Sequence, residues 1–225
     1  MRNPISYNYH LNNILFDRVF LFNDLGIYFD PTLSFNDHYI HIQNKASSML
    51  GFINRSCKDF NNPLALKSLY CSIVRSVLDY GCTVWCPNST GAIKAIDSIQ
   101  NRFLRIIQIR CSIKRIPHLS YRPLLSYLKL ETLKNRRKRL DLCFLYKLTN
   151  GDINCHELLS SLNFNVPHRS TTQMNTFYVP LQRSNYSQNA PINIIMQLVN
   201  HLSVDLFSCK SIDVFNYYLN SFLGD

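Results

Sequence analysis

Asp24 to Phe60, DLGIYFDPTLSFNDHYIHIQNKASSMLGFINRSCKDF, sets the fold class, because its apolar period changes from two to 3.6 at Pro31. Leu25 to Phe29 reads as a short strand. Beyond Pro31, Ser34 or Asn36 can cap a helix whose apolar positions Ile42, Ala46, Met49, Leu50 and Ile53 fall on one stripe. A second helix starts at Asn62-Pro63, a capping residue followed by proline at the first helical position. Its apolar set Leu66, Leu69, Tyr70, Ile73, Val74, Val77 and Leu78 is broad enough to be largely buried, with Lys67, Arg75 and Asp79 expected on a wet outer face. Pro87 to Gly91 reads as a loop. A third amphipathic helix follows, with Ile93, Ile96, Ile99, Phe103, Ile106 and Ile107 inward.

Upstream, Ile5, Tyr7, Tyr9 and Leu11 alternate, then Asn12-Asn13 precedes Ile14-Leu15-Phe16. Paired asparagines tolerate positive φ, so this is a β-hairpin. Three strands alone leave raw edges, as a cut sheet would. Downstream, a short helix is expected from Leu124 to Leu130, and a longer one from Leu133 to Leu148 with Leu140, Phe144 and Leu148 four apart. Asn150-Gly151 closes it in a left-handed terminus. Cys155 to Leu162 reads as a short helix, 165–190 as irregular chain rich in Ser, Thr, Asn and Gln, and Pro191 to Leu202 and Ser211 to Leu223 as helices. In the last, Val214, Tyr217, Tyr218 and Leu223 are the expected packing residues. The expected architecture is mainly α: an N-terminal β-hairpin or short sheet (1–33), a helical bundle (34–120) and a helical C-terminal extension (121–225).

The formal net charge is +10, and it is concentrated. Asn101 to Arg139 holds twelve Lys or Arg against the single acid Glu131, a net of +11, while the remaining 12 bases and 13 acids net −1. Such a segment favours a polyanionic partner, against the plainer alternative of a solvated cationic helix face. Lys134 and Arg136 to Arg139 sit in the first two turns of their helix, where the dipole disfavours them. The eight cysteines include Cys71 and Cys143 among apolar residues of helical pattern, which suits reduced, buried thiols. No apolar run approaches the roughly 18 to 20 residues that cross a bilayer, and Arg2-Asn3-Pro4 does not open a signal peptide. A soluble, intracellular protein of cytoplasm or nucleus is expected, with no membrane partner.

Asp24-Leu25-Gly26-Ile27-Tyr28-Phe29-Asp30, Leu33-Ser34-Phe35 with His38, Lys45-Ala46, Leu50-Gly51, Leu69-Tyr70, Val74-Arg75-Ser76, Leu78-x-Tyr80, Val84-Trp85-x-Pro87 and Gln100-x-Arg102-Phe103 stand in order along the chain. This series, with Arg183 to Tyr186 and Asn189 to Ile192 in the tail, resembles the region downstream of the catalytic palm in reverse transcriptases of LINE-type, jockey-like non-LTR retrotransposons. The resemblance implies that the strand ends the palm, that the following helices form the thumb lying along the template and primer duplex, and that Met1 falls after the metal-binding aspartates. In that family these stand on an aromatic-x-Asp-Asp turn and an earlier strand. This sequence contains no Asp-Asp pair, and Asp17, Asp24, Asp30 and Asp37 occupy turn positions. Neither catalytic residues nor a cofactor are expected.

Other sites weaken on inspection. Cys82-x3-Cys86 lacks a second ligand pair at short spacing, Cys155-His156 lies far along the chain, and His38-x2-His41 has no further ligand nearby, so no metal is expected. Gly26 and Gly51 suit packing better than a phosphate loop. The expected nucleic-acid contacts are Lys134, Arg136, Arg137, Lys138 and Arg139, then Arg102, Arg105, Lys114 and Arg115. Their expected partner is RNA or an RNA/DNA duplex held by its phosphates, with the palm and fingers of an intact polymerase as a possible second partner. The competing expectation is a non-catalytic scaffold or protein-interaction fragment, or an inactive retroelement remnant; a third is a mis-delimited piece of a full enzyme.

Overall fold

The computed structural model describes residues 7–87, 89–113, 120–165, 175–181, 185–202 and 209–223. They are mainly helical, behind two short antiparallel hairpins. In the first hairpin β1 (His10–Leu11) pairs with β2 (Ile14–Leu15), and Asn12 and Asn13 make the turn at φ 49° and 64°, as paired asparagines predict. The second was half foreseen: β4 (Ile27–Phe29) has a partner, β3 (Phe22–Asp24), around a left-handed Leu25-Gly26 turn. The strands thus form two separate two-stranded sheets. Most of their apolar side chains stand in solvent, Ile14 69 % and Leu11 61 % exposed, so alternation here marks pairing without burial.

Ile27 is the strand residue that enters the core. A Cβ built on Gly81 would stand 2.7 Å from its Cδ1, and Gly81 has φ +61°, so contact and conformation both demand glycine there. Next to it Trp85 is wholly buried and serves as a hub. Its indole Nε1–H donates to the Tyr80 carbonyl (2.8 Å), its own carbonyl accepts from the Tyr39 hydroxyl (3.1 Å), and the His38 ring meets it edge-on at 5.2 Å.

Helix α1 (Asn36–Ser56) buries Ile42, Ala46, Leu50 and Ile53, the expected stripe. Its start is held differently from expectation. Phe35 is the capping residue in a left-handed conformation, and the Asp30 carboxylate gathers the turn by accepting from the Thr32 and Phe35 amides (2.8 and 2.9 Å) and from both Thr32 and Ser34 hydroxyls. Burial acts to raise the Asp30 pKa, but the Thr32 and Ser34 hydrogen bonds outweigh it and bring the group down to about 2. Helix α2 (Pro63–Leu69) begins as expected, the Asn62 side chain accepting from the Leu64 and Ala65 amides. It runs through a widened π-helical turn, Tyr70–Arg75, into α3 (Ser76–Asp79). Tyr70 lies in that turn, stacked on Phe103 at 4.0 Å. After α4 (Cys82–Trp85) comes α5 (Thr90–Arg110), capped by the Ser89 hydroxyl and packed on α1.

Helix α6 (Arg122–Leu128) leads to α7 (Leu133–Thr149), which ends at left-handed Gly151. Then come α8 (His156–Ser160), α9 (Asn185–Gln188), α10 (Pro191–Asn200) and α11 (Ile212–Leu223). Part of the 165–190 segment, expected to be irregular, lies outside the described residues; within it Phe177 forms an isolated bridge to Phe164, and α9 is a short helix. Two apolar clusters result. One runs from Ile27 through Leu133, including Leu128 and Leu130, and the other from Leu142 to Leu223. Helix α7 belongs to both.

Two expectations are corrected. On α11 the buried residues are Phe215, Leu219 and Leu223, while Val214, Tyr217 and Tyr218 face solvent, because the second cluster takes the face one position further along. Arg75 and Asp79 are not on a wet face either, since α7 covers them.

His38 gives this packing a pH dependence. Its Nδ1 accepts from the Tyr28 amide (3.4 Å), which leaves its ring proton on Nε2, and burial, helped by His41, lowers its pKa from 6.5 to about 4. The unfolded chain binds a proton near pH 6.5 and the folded chain only near 4. The stability this group contributes is therefore complete above pH 6.5 and lost as pH falls toward 4, up to roughly 3 kcal/mol. In urea unfolding between pH 7 and 4, His38→Asn should keep the acceptor and show a shallower acid slope than the parent. Equal slopes would refute the assignment.

Candidate nucleic-acid interface

Helix α7 carries the densest run of positive charge, and helical geometry divides it. Successive side chains turn by about 100°, so Arg136 to Arg139 cannot share one face. Thr132 caps the helix by accepting from the Asn135 amide at 3.2 Å. From there Lys134 and Lys138, four apart, run along one side, and three arginines turn toward the protein.

Arg136 donates its Nε–H to Asp79 (3.1 Å) and lies 3.9 Å from Glu131. Arg137, only 5 % exposed, reaches Asp97 at 3.6 Å. Arg139 grips Glu131 through Nε (2.7 Å) and Nη2 and donates from Nη1 to the Asn216 carbonyl of α11 (3.4 Å). Of the expected phosphate contacts on α7, Arg136, Arg137 and Arg139 are thus engaged in ion pairs, with Asp79, Asp97 and Glu131. Arg75, 3.8 Å from Asp79, completes the seam.

The acids show the cost of enclosure. Burial raises the pKa of Asp79 and Asp97 against the opposing pull of Arg136 and Arg137, and takes Asp141 up to about 6 despite Thr83 and Arg137. Asp141 Oδ1 and Arg137 Nη1 are buried and make no hydrogen bond among the described residues. Such a seam confers register between packed elements more than net stability.

Of the other expected contacts, Arg102 and Arg105 are exposed on α5, Arg102 Nη1 lying 3.5 Å from the Ser47 hydroxyl. Lys114 and Arg115 lie outside the described residues. Arg110 has a structural post: its guanidinium donates to the Asn54 and Cys57 carbonyls and to the Asn54 side chain (2.7 Å), finishing α1.

Lys134 and Lys138 meet two further cations that sequence reasoning counted in the basic segment without nominating them. Arg122 and Lys129, seven apart and so on one side of α6 and its exit, face them across a cleft of about 600 Å³. Leu125, Leu130 and Leu223 supply its apolar surface, and the Ser126, Thr132, Asn135 and Asn220 side chains supply polar groups. The two carboxylates on its wall, Asp97 and Glu131, are those already paired with Arg137 and Arg139. Arg122, Lys129 and Lys138 therefore present positive charge without a facing carboxylate among those pairs, while Lys134 also acts on Asp97.

A second cleft, of about 520 Å³, is walled by Phe29, Leu33, Phe35, Val84, Pro191 and Ile194 and gathers no charged group. Cys82 lies in the first apolar cluster, and burial pushes its thiol up to about 12 and that of Cys86 up to about 11, leaving unreactive thiols. Among the described residues no three His, Cys, Asp or Glu side chains converge as metal ligands, and no helix is long and apolar enough to cross a membrane.

The two classes of cation should separate in equilibrium unfolding. Arg137→Ala leaves Asp97 and Asp141 without their cation and should cost about 2 to 4 kcal/mol, whereas Lys134→Ala should stay within about 0.5 kcal/mol. Equal costs would overturn the division.

No family model matches this chain, and no solved structure matches it. The chain is 26% identical over 187 residues to a nematode protein, uncharacterized protein B0403.1 of Caenorhabditis elegans, in an alignment that covers 80% of this chain and 92% of that one.

Proposed function

We propose that this chain derives from an RNA-directed DNA polymerase of the non-LTR retrotransposon type, that its helices correspond to the thumb, and that they bind template and primer nucleic acid by the phosphates. The observation that carries the reading is the convergence of Arg122, Lys129, Lys134 and Lys138 on one cleft whose carboxylates are already paired. The absence of an Asp-Asp pair from the sequence supports a binding role over nucleotide transfer. Exposed Arg102 and Arg105 extend the positive surface on α5. An intracellular setting, with nucleic acid and an intact polymerase's palm at hand, belongs to the same reading.

One observation favours the alternative of a protein-interaction fragment. The two hairpins and the chain between them expose Tyr9, Leu11, Ile14, Phe16, Phe20 and Phe22, a run of apolar side chains beside open strand edges.

Fluorescence anisotropy with a labelled RNA/DNA heteroduplex distinguishes the two. Four phosphate contacts give a slope of log affinity against log salt of about −3 to −4. Lys134→Glu combined with Lys138→Glu should flatten that slope and weaken binding alike for unrelated sequences, because phosphate contacts carry no sequence information. No binding at about 50 mM salt, or a salt-independent affinity, would refute the reading in favour of the alternative.

A further inference from the structure

The same cleft has features that a grip on duplex phosphates does not need. Its volume, about 600 Å³, is that of a small-ligand pocket, with room for a base as well as for the phosphates at its rim. Half-buried Leu125 offers apolar surface suited to the face of a base and useless to a phosphate, over the nearly buried Leu130 and Leu223. Asn135 already donates through Nδ2 to the Leu223 carbonyl (2.7 Å), which leaves its Oδ1 as an acceptor, and Asn220 adds a second amide on the wall. A base edge can use such groups only when it is not paired with another base.

Two exposed tyrosines neighbour lining residues in sequence. Tyr217, 75 % exposed, precedes Asn220 by three residues and so lies on the same side of α11 as that lining residue. Its ring meets Tyr218 edge-on, with centroids 6.1 Å apart, which orients it. Tyr127, 62 % exposed, adjoins the lining residue Ser126 on α6 and points about 100° round the helix from it. A cationic groove with aromatic rings beside it is the arrangement that holds single strands, the cations tracking the phosphates and the rings stacking on successive bases.

We propose that the cleft between α6, α7 and α11 binds unpaired nucleic acid, RNA or DNA, with Arg122, Lys129, Lys134 and Lys138 on its phosphates and Tyr217 and Tyr127 stacking on bases. The inference rests on the nucleic-acid reading above and narrows it from duplex to single strand. The full chain is titrated with fluorescein-labelled dT12, with the matching oligouridine and with the heteroduplex. Both single strands should bind more tightly than the duplex at equal salt. Tyr217→Ala and Tyr127→Ala should each weaken the single-strand affinity about tenfold without changing the salt slope, and Tyr217→Phe, which keeps the ring, should retain it. Circular dichroism melting identifies any variant that fails to fold, and Tyr217→Phe against Tyr217→Ala then carries the comparison. A duplex preference, or tyrosine variants that bind like the parent while Lys134→Glu still weakens binding, would overturn the inference and leave the phosphate-binding reading standing. No binding of any of the three at low salt would sink both.

Discussion

The seam of charge along α7 is the constraint on which the two halves of the molecule depend. Apolar burial builds each cluster separately, but burial is non-directional and does not say how one cluster should sit on the other. Arg136 reaches Asp79 on α3, Arg137 reaches Asp97 on α5, and Arg139 joins Glu131 to the α11 backbone. These contacts demand specific distances, so they fix the angular position of α7 against both neighbours. An arginine in such a place costs desolvation and returns register.

The same helix divides labour between structure and surface. The cations that look equivalent in the string KNRRKR separate by angle: Lys134 and Lys138 keep to the open side, and the arginines turn in. Guanidinium suits the inward role, because its fork satisfies two carboxylate oxygens or a carboxylate and a carbonyl together, as Arg139 does. Lysine suits the outward one, its compact charge staying hydrated until a polyanion arrives. The high net charge is thus smaller as a surface property than the composition suggests.

Local signals carried most of the fold. Asn12-Asn13, Asn62-Pro63 and Asn150-Gly151 each fix a turn or a helix end through the backbone angles their own residues prefer, and each falls where the sequence placed it. What the string could not reveal depends on partners distant in sequence. Asp79 looks like an outer-face residue until α7, more than fifty positions later, covers it. On α11 the tyrosines are large and partly apolar, yet the second cluster accepts Phe215 and Leu219 and leaves Tyr217 and Tyr218 out. His38 carries no local mark of its burial, because the Trp85 beside it comes from another helix. The cleft was legible only as a count of charges, since its walls meet through α11.

The π-helical turn at Tyr70–Arg75 explains an oddity of spacing. Leu66, Tyr70, Val74 and Leu78 are strictly four apart, and all four are at most 1 % exposed. In an unbroken α-helix a four-residue repeat advances about 40° too far at each step, and three steps would swing Leu78 about 120° out of line with Leu66. The wider turn, with its i to i+5 bonding, takes up that surplus rotation and brings the repeat back into phase. One helix can then keep these four residues on a single buried ridge, its later turns against α1 and Tyr70 against Phe103 of α5, a geometry that a uniform screw would deny it.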